Sequence, residues 1–364
     1  MAQPAFDEIV TSVPPRPFEA HCIATGIHSR DRESWLRARR HGLTGSEVAA
    51  VLGLHPYKSA LEVYAEKIGA EVANDVGEVA LWGQLFEPAI LQEYARRTGR
   101  TVVPAGELLQ SRQREWCLVT LDGIALDGAP PWAVGPGVVE AKTTGLGEAW
   151  FEALPAHVQV QVQHQMLVTG ALWASVPWLP FPERKLQWVD IEPHREFQAM
   201  LGEKCDEFWL RVLQRRPPNP DGSDSARNAI LALNPRLDDE IVEFDEAAVA
   251  IADEIEQIND AVKRLEARKD LINNRVLHTL GEQKAALLPD GRYFNSWITD
   301  PSESRCSCGQ VHTSRKGFRA CRLMQPRKKP HPLPVGTRSL TMQPSGEIAD
   351  LLRASLELVK RGEP

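Results

Sequence analysis

The run Val138-Val139-Glu140-Ala141-Lys142 constrains the fold of this chain more than any other segment. Two β-branched residues lead into an alternation of charged and small side chains, and successive side chains of a strand point to opposite faces. Glu140 and Lys142 therefore share one face, and Val139 and Ala141 are expected to point to the packed side. Alone, a carboxylate and an ammonium in this spacing make a surface ion pair. Asp122 changes that reading, because it closes the apolar run Leu118-Val119-Thr120-Leu121 and is followed by Gly123, with a Pro/Gly-rich turn over 128–137 before the second run. Adjacent strands would set Asp122 beside Glu140. Two close carboxylates repel unless a divalent cation sits between them, and hard oxygen ligands favour Mg2+ or Mn2+ over zinc.

The flanking patterns say what surrounds these strands. Thr44-Gly45-Ser46-Glu47 opens a short helix closed by Gly53, 59–68 reads as another helix, and 82–98 is amphipathic with Leu85, Phe86, Ile90, Leu91 and Tyr94 as its apolar side. Strand composition follows at 101–103, 116–121 and 138–142, then a helix from about Ala156 behind Pro155, two strands around 182–185, and a helix over 194–214. This order predicts an α/β protein, a mixed sheet flanked by helices. An acid at a strand end followed by an apolar strand bearing Glu-x-Lys is the PD-(D/E)XK arrangement, which implies a restriction-endonuclease-like core. Glu87, in Trp82-Gly83-Gln84-Leu85-Phe86-Glu87-Pro88, is a third acid that fits the site.

The expected organisation is an N-terminal arm (1–30), the core (31–216), a Pro/Ser/Asp-rich linker (217–245), a helical segment (246–285), a small basic β-rich unit (286–325) and a tail (326–364). Ile251, Ile255, Ile258, Val262 and Leu265 alternate steps of four and three, and Ile272 and Val276 continue the series past Lys269. That is a coiled-coil-type seam, open to self-association or to packing within the chain. The net charge of −7 argues mildly against a nucleic-acid partner, yet Ser304–Gly346 holds nine Lys/Arg and no Asp or Glu. No apolar run approaches membrane-spanning length and the N-terminus lacks a signal-peptide pattern, so a cytoplasmic location without disulfides is expected, with Cys117 and Cys205 in the core. Cys306, Cys308, His312 and Cys321 are ligand types suited to zinc, although Cys-x-Cys is not the usual Cys-x-x-Cys turn. His164 is expected as a polar neighbour of the site.

Four blocks resemble the YqaJ-like viral recombinase nucleases, relatives of the phage lambda exonuclease. They are Trp35 to Glu47 running on to Gly53-Leu54-His55-Pro56-Tyr57-Lys58-Ser59; Trp82-Gly83 through Glu87-Pro88; Asp122-Gly123 with Glu140-Ala141-Lys142; and Gln161-Val162-Gln163-His164-Gln165-Met166. The resemblance spans roughly residues 30–215. It implies that Glu87, Asp122 and Glu140 bind the metal, that Lys142 is the catalytic lysine and that Gln161 helps hold the site. It also implies that Arg39 and Ser46 contact the 5′-phosphate of the strand being digested. Tyr57 and Lys58 are further candidates for DNA contact. The implied activity is 5′→3′ digestion of linear double-stranded DNA, leaving 3′ overhangs for a single-strand annealing protein, by a ring-shaped trimer. The extension after about residue 225 is less typical of the family. An endonuclease or a Cas4-like end-trimming nuclease on the same fold, and a non-catalytic DNA-binding or assembly protein, are the alternatives.

Overall fold

The structure, a computed structural model, describes residues 17–72, 78–144, 150, 153–181, 185–236, 241–299, 302–305, 311–314 and 318–324. The chain forms two units, Met1–Asp239 and Glu240–Pro364. In chain order the first runs β1 (Cys22–His28), α1 (Arg32–Arg39), α2 (Gly45–Val51), α3 (Ala60–Lys67), α4 (Glu78–Thr98), β2 (Val102–Pro104), β3 (Glu107–Ser111), β4 (Leu118–Thr120), β5 (Gly123–Ala125), β6 (Gly137–Val139) and β7 (Lys142–Thr144). It continues with α5 (Ala156–Thr169), β8 (Ala174–Pro180), β9 (Gln187–Ile191), α6 (Arg195–Leu213) and α7 (Asp224–Leu233).

Strands β2, β5, β6, β8 and β7 form a mixed sheet with β9 added on β8; β6 and β7 run parallel to β8 and the other pairs are antiparallel. A second, antiparallel sheet has the order β1-β3-β4. The expected α/β core is thus observed, with helices on both faces of the mixed sheet. Val138 packs with Val158, Val162 and Met166 of α5, while its neighbour Val139 packs with Ile90, Leu91 and Tyr94 of α4. Both faces of β6 are therefore buried, which is why its residues are continuously apolar. The expectation of one packed side is corrected accordingly: Glu140 projects to the α5 side between two packed layers. A third layer joins α2, α3, α6 and α7 around Leu43, Leu61 and Phe208.

Two sequence expectations shift. The strand that ends before Asp122 does not pair with the Glu140 strand. β4 belongs to the second sheet, and β5, which starts after Asp122, pairs with β6 by setting Gly123 opposite Val139. Asp122 thus sits where the chain crosses between sheets. Glycine fits the crossing closely, since a Cβ at Gly123 would lie 3.1 Å from Leu91 and 3.3 Å from Val102 side-chain carbons, which would have to give by a few tenths of an ångström. The 138–142 strand is also broken at Glu140 and Ala141. Both pieces keep one register against β8, Val138 with Ala174 and Lys142 with Trp178. The amides of Val138 and Glu140 donate to Trp173 and Ser175 carbonyls, but the next rung would need a donor at Pro177, which has none.

The boundaries change as well. Residues 22–28, expected within an arm, pair with β3. The expected linker contains α7, whose Ser225 hydroxyl accepts from the Ser59 amide at 2.8 Å and contacts Glu62. Short side chains at Ser225, Ala226 and Ala229, all buried, let this helix seat on the first unit. In the amphipathic helix α4, Ile90, Leu91 and Tyr94 are buried as expected, whereas Leu85 is exposed.

The second unit holds α8 (Ala247–Leu280), β10 (Ala285–Leu287), β11 (Tyr293–Thr299), β12 (Ser302–Arg305), β13 (Val311–Ser314) and β14 (Phe318–Met324). β10, β11 and β14 form one antiparallel sheet and β12 with β13 a hairpin. Among the described residues no helix is long and apolar enough to cross a membrane.

Candidate active site

Glu140 leaves β6 with its side chain buried, and three donors converge on it. Lys142 Nζ and Gln161 Nε2 each donate to Oε1 at 2.5 Å, and Gln165 Nε2 donates to Oε2 at 2.6 Å. Gln161 and Gln165 stand one helical turn apart on α5, so one helix face supplies both amides. Asp122 approaches from the crossing between sheets, and its Oδ2 accepts the Ala141 amide at 2.8 Å. The amide beside Glu140 is thus bonded by a side chain. Glu87 is supplied by α4, one residue before Pro88, which leaves the Gln84 carbonyl without its helical donor.

Charge is unbalanced here. Burial, then the Glu140 and Glu87 carboxylates, push the Asp122 carboxyl well above its ordinary range, against the opposing pull of Lys142 and the Ala141 amide. Burial and then Glu140 also raise Glu87. Burial would lower Lys142, but Glu140, Asp122 and Glu87 outweigh it and raise the ammonium above its usual value. Three acids thus face one ammonium. The hard, anionic oxygen set suits Mg2+ or Mn2+. Among the described residues no three His, Cys, Asp or Glu side chains are drawn together as a closed ligand cluster. Both Glu140 oxygens are instead held by Lys142, Gln161 and Gln165.

A second cluster lies at the start of α2. Arg39 Nη2 donates to Thr44 Oγ1 at 2.8 Å, Ser46 Oγ at 3.1 Å and Glu47 Oε1 at 3.3 Å, and its guanidinium lies 4.4 Å over the Trp35 ring. Glu47 also accepts the Thr44 amide, closing the helix start, and pairs with buried Lys67 at 2.8 Å. The residue capping α2 is Thr44, which leaves the Ser46 hydroxyl beside Arg39. Gly45 permits close approach of α2 to α5, since a Cβ there would meet Gln161 Cγ at 3.2 Å.

Of the remaining candidates, Tyr57 is 86% exposed, and Lys58 is tied to Glu66 at 2.6 Å and Glu62 at 3.8 Å. His164 is not a neighbour of the site. It is buried in the core, its Nε2 3.0 Å from the Leu118 carbonyl, and burial lowers it to about 4. Cys306 and Cys308 lie outside the described residues, as does the His312 side chain; Cys321 Sγ is 3.7 Å from the Asn273 carbonyl. Three contributors escaped sequence reasoning. Gln165 was signalled by its four-residue spacing from Gln161. The Glu47–Lys67 pair had no local signal, since its partners lie on different helices. His55 and His157, with ring centroids 5.6 Å apart, are both lowered, His55 to about 4 by burial and then His157, Lys58 and Lys142, and His157 by burial and then Lys142.

Residues 34–172 match the family described as the YqaJ-like viral recombinase domain. The matched residues include Arg39, Ser46, Glu87, Asp122, Glu140, Lys142, Gln161 and Gln165. The curated "Uncharacterized protein YqaJ" of Bacillus subtilis (strain 168) is 26% identical over 281 residues, covering 73% of this chain and 83% of the relative. Among solved structures, an alkaline exonuclease (LHK-Exo) from Laribacter hongkongensis superposes with a TM-score of 0.40 at 18% identity, over 50% of this chain and 94% of that one. A phage related exonuclease from Haemophilus somnus 129PT gives 0.38 at 13% identity, over 48% and 96%.

Proposed function

We propose that this protein is a metal-dependent deoxyribonuclease that digests linear duplex DNA from its ends, 5′ to 3′, leaving 3′ overhangs for recombination. The observation that carries the reading is the site in which buried Glu140 and half-buried Glu87 and Asp122 face the single ammonium of Lys142. Such a surplus of carboxylate favours a divalent cation. Glu87, Asp122 and Glu140 would hold Mg2+ or Mn2+, which when bound polarises the scissile phosphate and acidifies a water. Lys142 stabilises the negative charge that develops on the phosphoryl oxygens. Gln161 and Gln165 fix the orientation of Glu140. Arg39 and the Ser46 hydroxyl offer a fork and a donor suited to a terminal 5′-phosphate. Exposed Tyr57, its ring beside His55, is a further candidate for DNA contact. The annealing partner, the trimeric ring and a cytoplasmic site of action belong to the same reading and rest on the family resemblance.

The test is digestion of linear duplex labelled at each end in turn, with 5′-phosphate or 5′-hydroxyl ends, with and without Mg2+. The wild-type chain should release 5′-terminal nucleotides only with metal and faster from phosphorylated ends, and Arg39→Ala should erase that preference. Equal digestion by wild type and Lys142→Ala would remove the catalytic assignment. Rapid cutting of closed circular plasmid would replace the exonuclease with an endonuclease.

A further inference from the structure

We propose that α8 is a self-association surface that pairs antiparallel with α8 of a second copy of this chain. The inference is independent of the nuclease reading.

The helix is 34 residues long. Its C-terminal end is packed, with Val276 and Leu280 buried and Asn273 against Cys321 of β14. Its first part is not. Ile251, Ile255, Ile258, Val262 and Leu265 are 45–68% exposed. Steps of four and three keep these five side chains on one stripe. An aliphatic stripe of this length left in water forgoes the gain of burying its apolar surface.

The charge pattern says what covers it. From Ala247 to Asp260 the helix carries four acidic residues and no basic one. From Ala261 to Lys269 it carries four basic residues and one acidic. A parallel partner would leave Glu254 and Arg268 without opposite charges and would set Lys269 against Lys269 inside the seam. An antiparallel partner centred near Asp260 does the opposite. Ile255 then faces Leu265 of the second copy and Ile258 faces Val262, and at the flanks Glu254 meets Arg268. Lys269 faces Ile251, next to Asp253 and Glu254. A chain whose own sequence is complementary to its reverse identifies a second copy as the occupant, with a two-fold axis as closed dimers require.

Sedimentation equilibrium of the full chain tests this against Val262→Glu, Glu254→Lys and the double variant Glu254→Lys/Arg268→Glu. Because Val262 is exposed, circular dichroism should show the same helix content in every variant. Whatever association the first unit makes, Val262→Glu should halve the assembly mass. Glu254→Lys should weaken association about tenfold and the double variant should restore it. In a parallel pair Glu254 and Arg268 face asparagines, so an unchanged mass in Glu254→Lys would overturn the orientation. Equal masses for wild type and Val262→Glu would overturn the surface itself, leaving the stripe to the rest of the chain or to another partner.

Discussion

The first unit contains two carboxylate–lysine pairs with opposite surroundings. Against Glu47 stand Lys67 and Arg39, two cations to one acid, with Lys58 beyond them paired to Glu66 and Glu62, and these cations outweigh burial so that the carboxyl is held well below its ordinary range. Around Lys142 stand Glu140, Asp122 and Glu87, three acids to one cation, and here carboxyls are driven up. The comparison teaches that an ion pair by itself says little about function. What its neighbours leave over says more. The surplus of positive charge suits a phosphate, and the surplus of carboxylate suits a metal. Glu47 also satisfies Lys67 and the α2 amide, so its cluster is stable as it stands.

Asp122→Asn tests the acid-rich cluster most severely. Activity should fall by about 10^3-fold, the scale of losing one charge-stabilising group. Metal-free melting temperature should hold or rise, because a repelling charge is gone while the amide oxygen still accepts from Ala141. The gain in melting temperature on adding Mg2+ should shrink. A large drop in metal-free stability would show that the acids at this site are satisfied, and the contrast between the clusters would fail.

Glu47→Gln should do the reverse, destabilising the fold by about 3–5 kcal/mol in urea titrations, because Lys67 keeps a buried charge with no carboxylate opposite. Since the folded Glu47 is depressed, its contribution is present above an unfolded value near 4.5 and is lost as pH falls through the folded value. A loss no larger than a surface substitution gives would reduce this pair to an incidental contact.

His164, outside both clusters, sharpens that pH argument by supplying a background to subtract. Its folded value of about 4 lies below the unfolded 6.5, so the unfolded chain binds the proton first and stability falls as pH drops from 6.5 towards 4. The loss is at most about 3 kcal/mol. His164→Gln should flatten the stability profile in that window; an unchanged slope would mean that another group carries it.

Much of this was legible from local pattern. Strand alternation set Glu140 and Lys142 on one face, helix periodicity set Ile90, Leu91 and Tyr94 inward, and glycine and proline marked most boundaries. The misreadings have a common cause, in that they depend on partners distant in sequence. Nothing near Asp122 discloses that β4 and β5 belong to different sheets, and nothing near Ala141 discloses that Pro177 faces the strand there. His164 looks like Gln161 and Gln165 in composition. Its position, three residues after one and one before the other, turns it away from Glu140 and towards Leu118. The residues 217–245 are rich in turn formers, yet small side chains at 225, 226 and 229 give α7 a seat that a linker would not need.

The bond from the Ala141 amide to Asp122 makes one carboxylate serve two masters, the backbone and the charge cluster. Few side chains can meet both demands at position 122. Asparagine keeps the acceptor and gives up the charge, glutamate keeps the charge but overshoots the amide, and alanine loses both. Tolerance to exchange there should be narrower than at Glu87, whose carboxylate has no backbone amide to satisfy in the crossing between sheets. A library saturated at both positions would separate the two demands, because variants selected for folding alone and variants selected for activity would diverge at 122 by a single amide-for-acid swap.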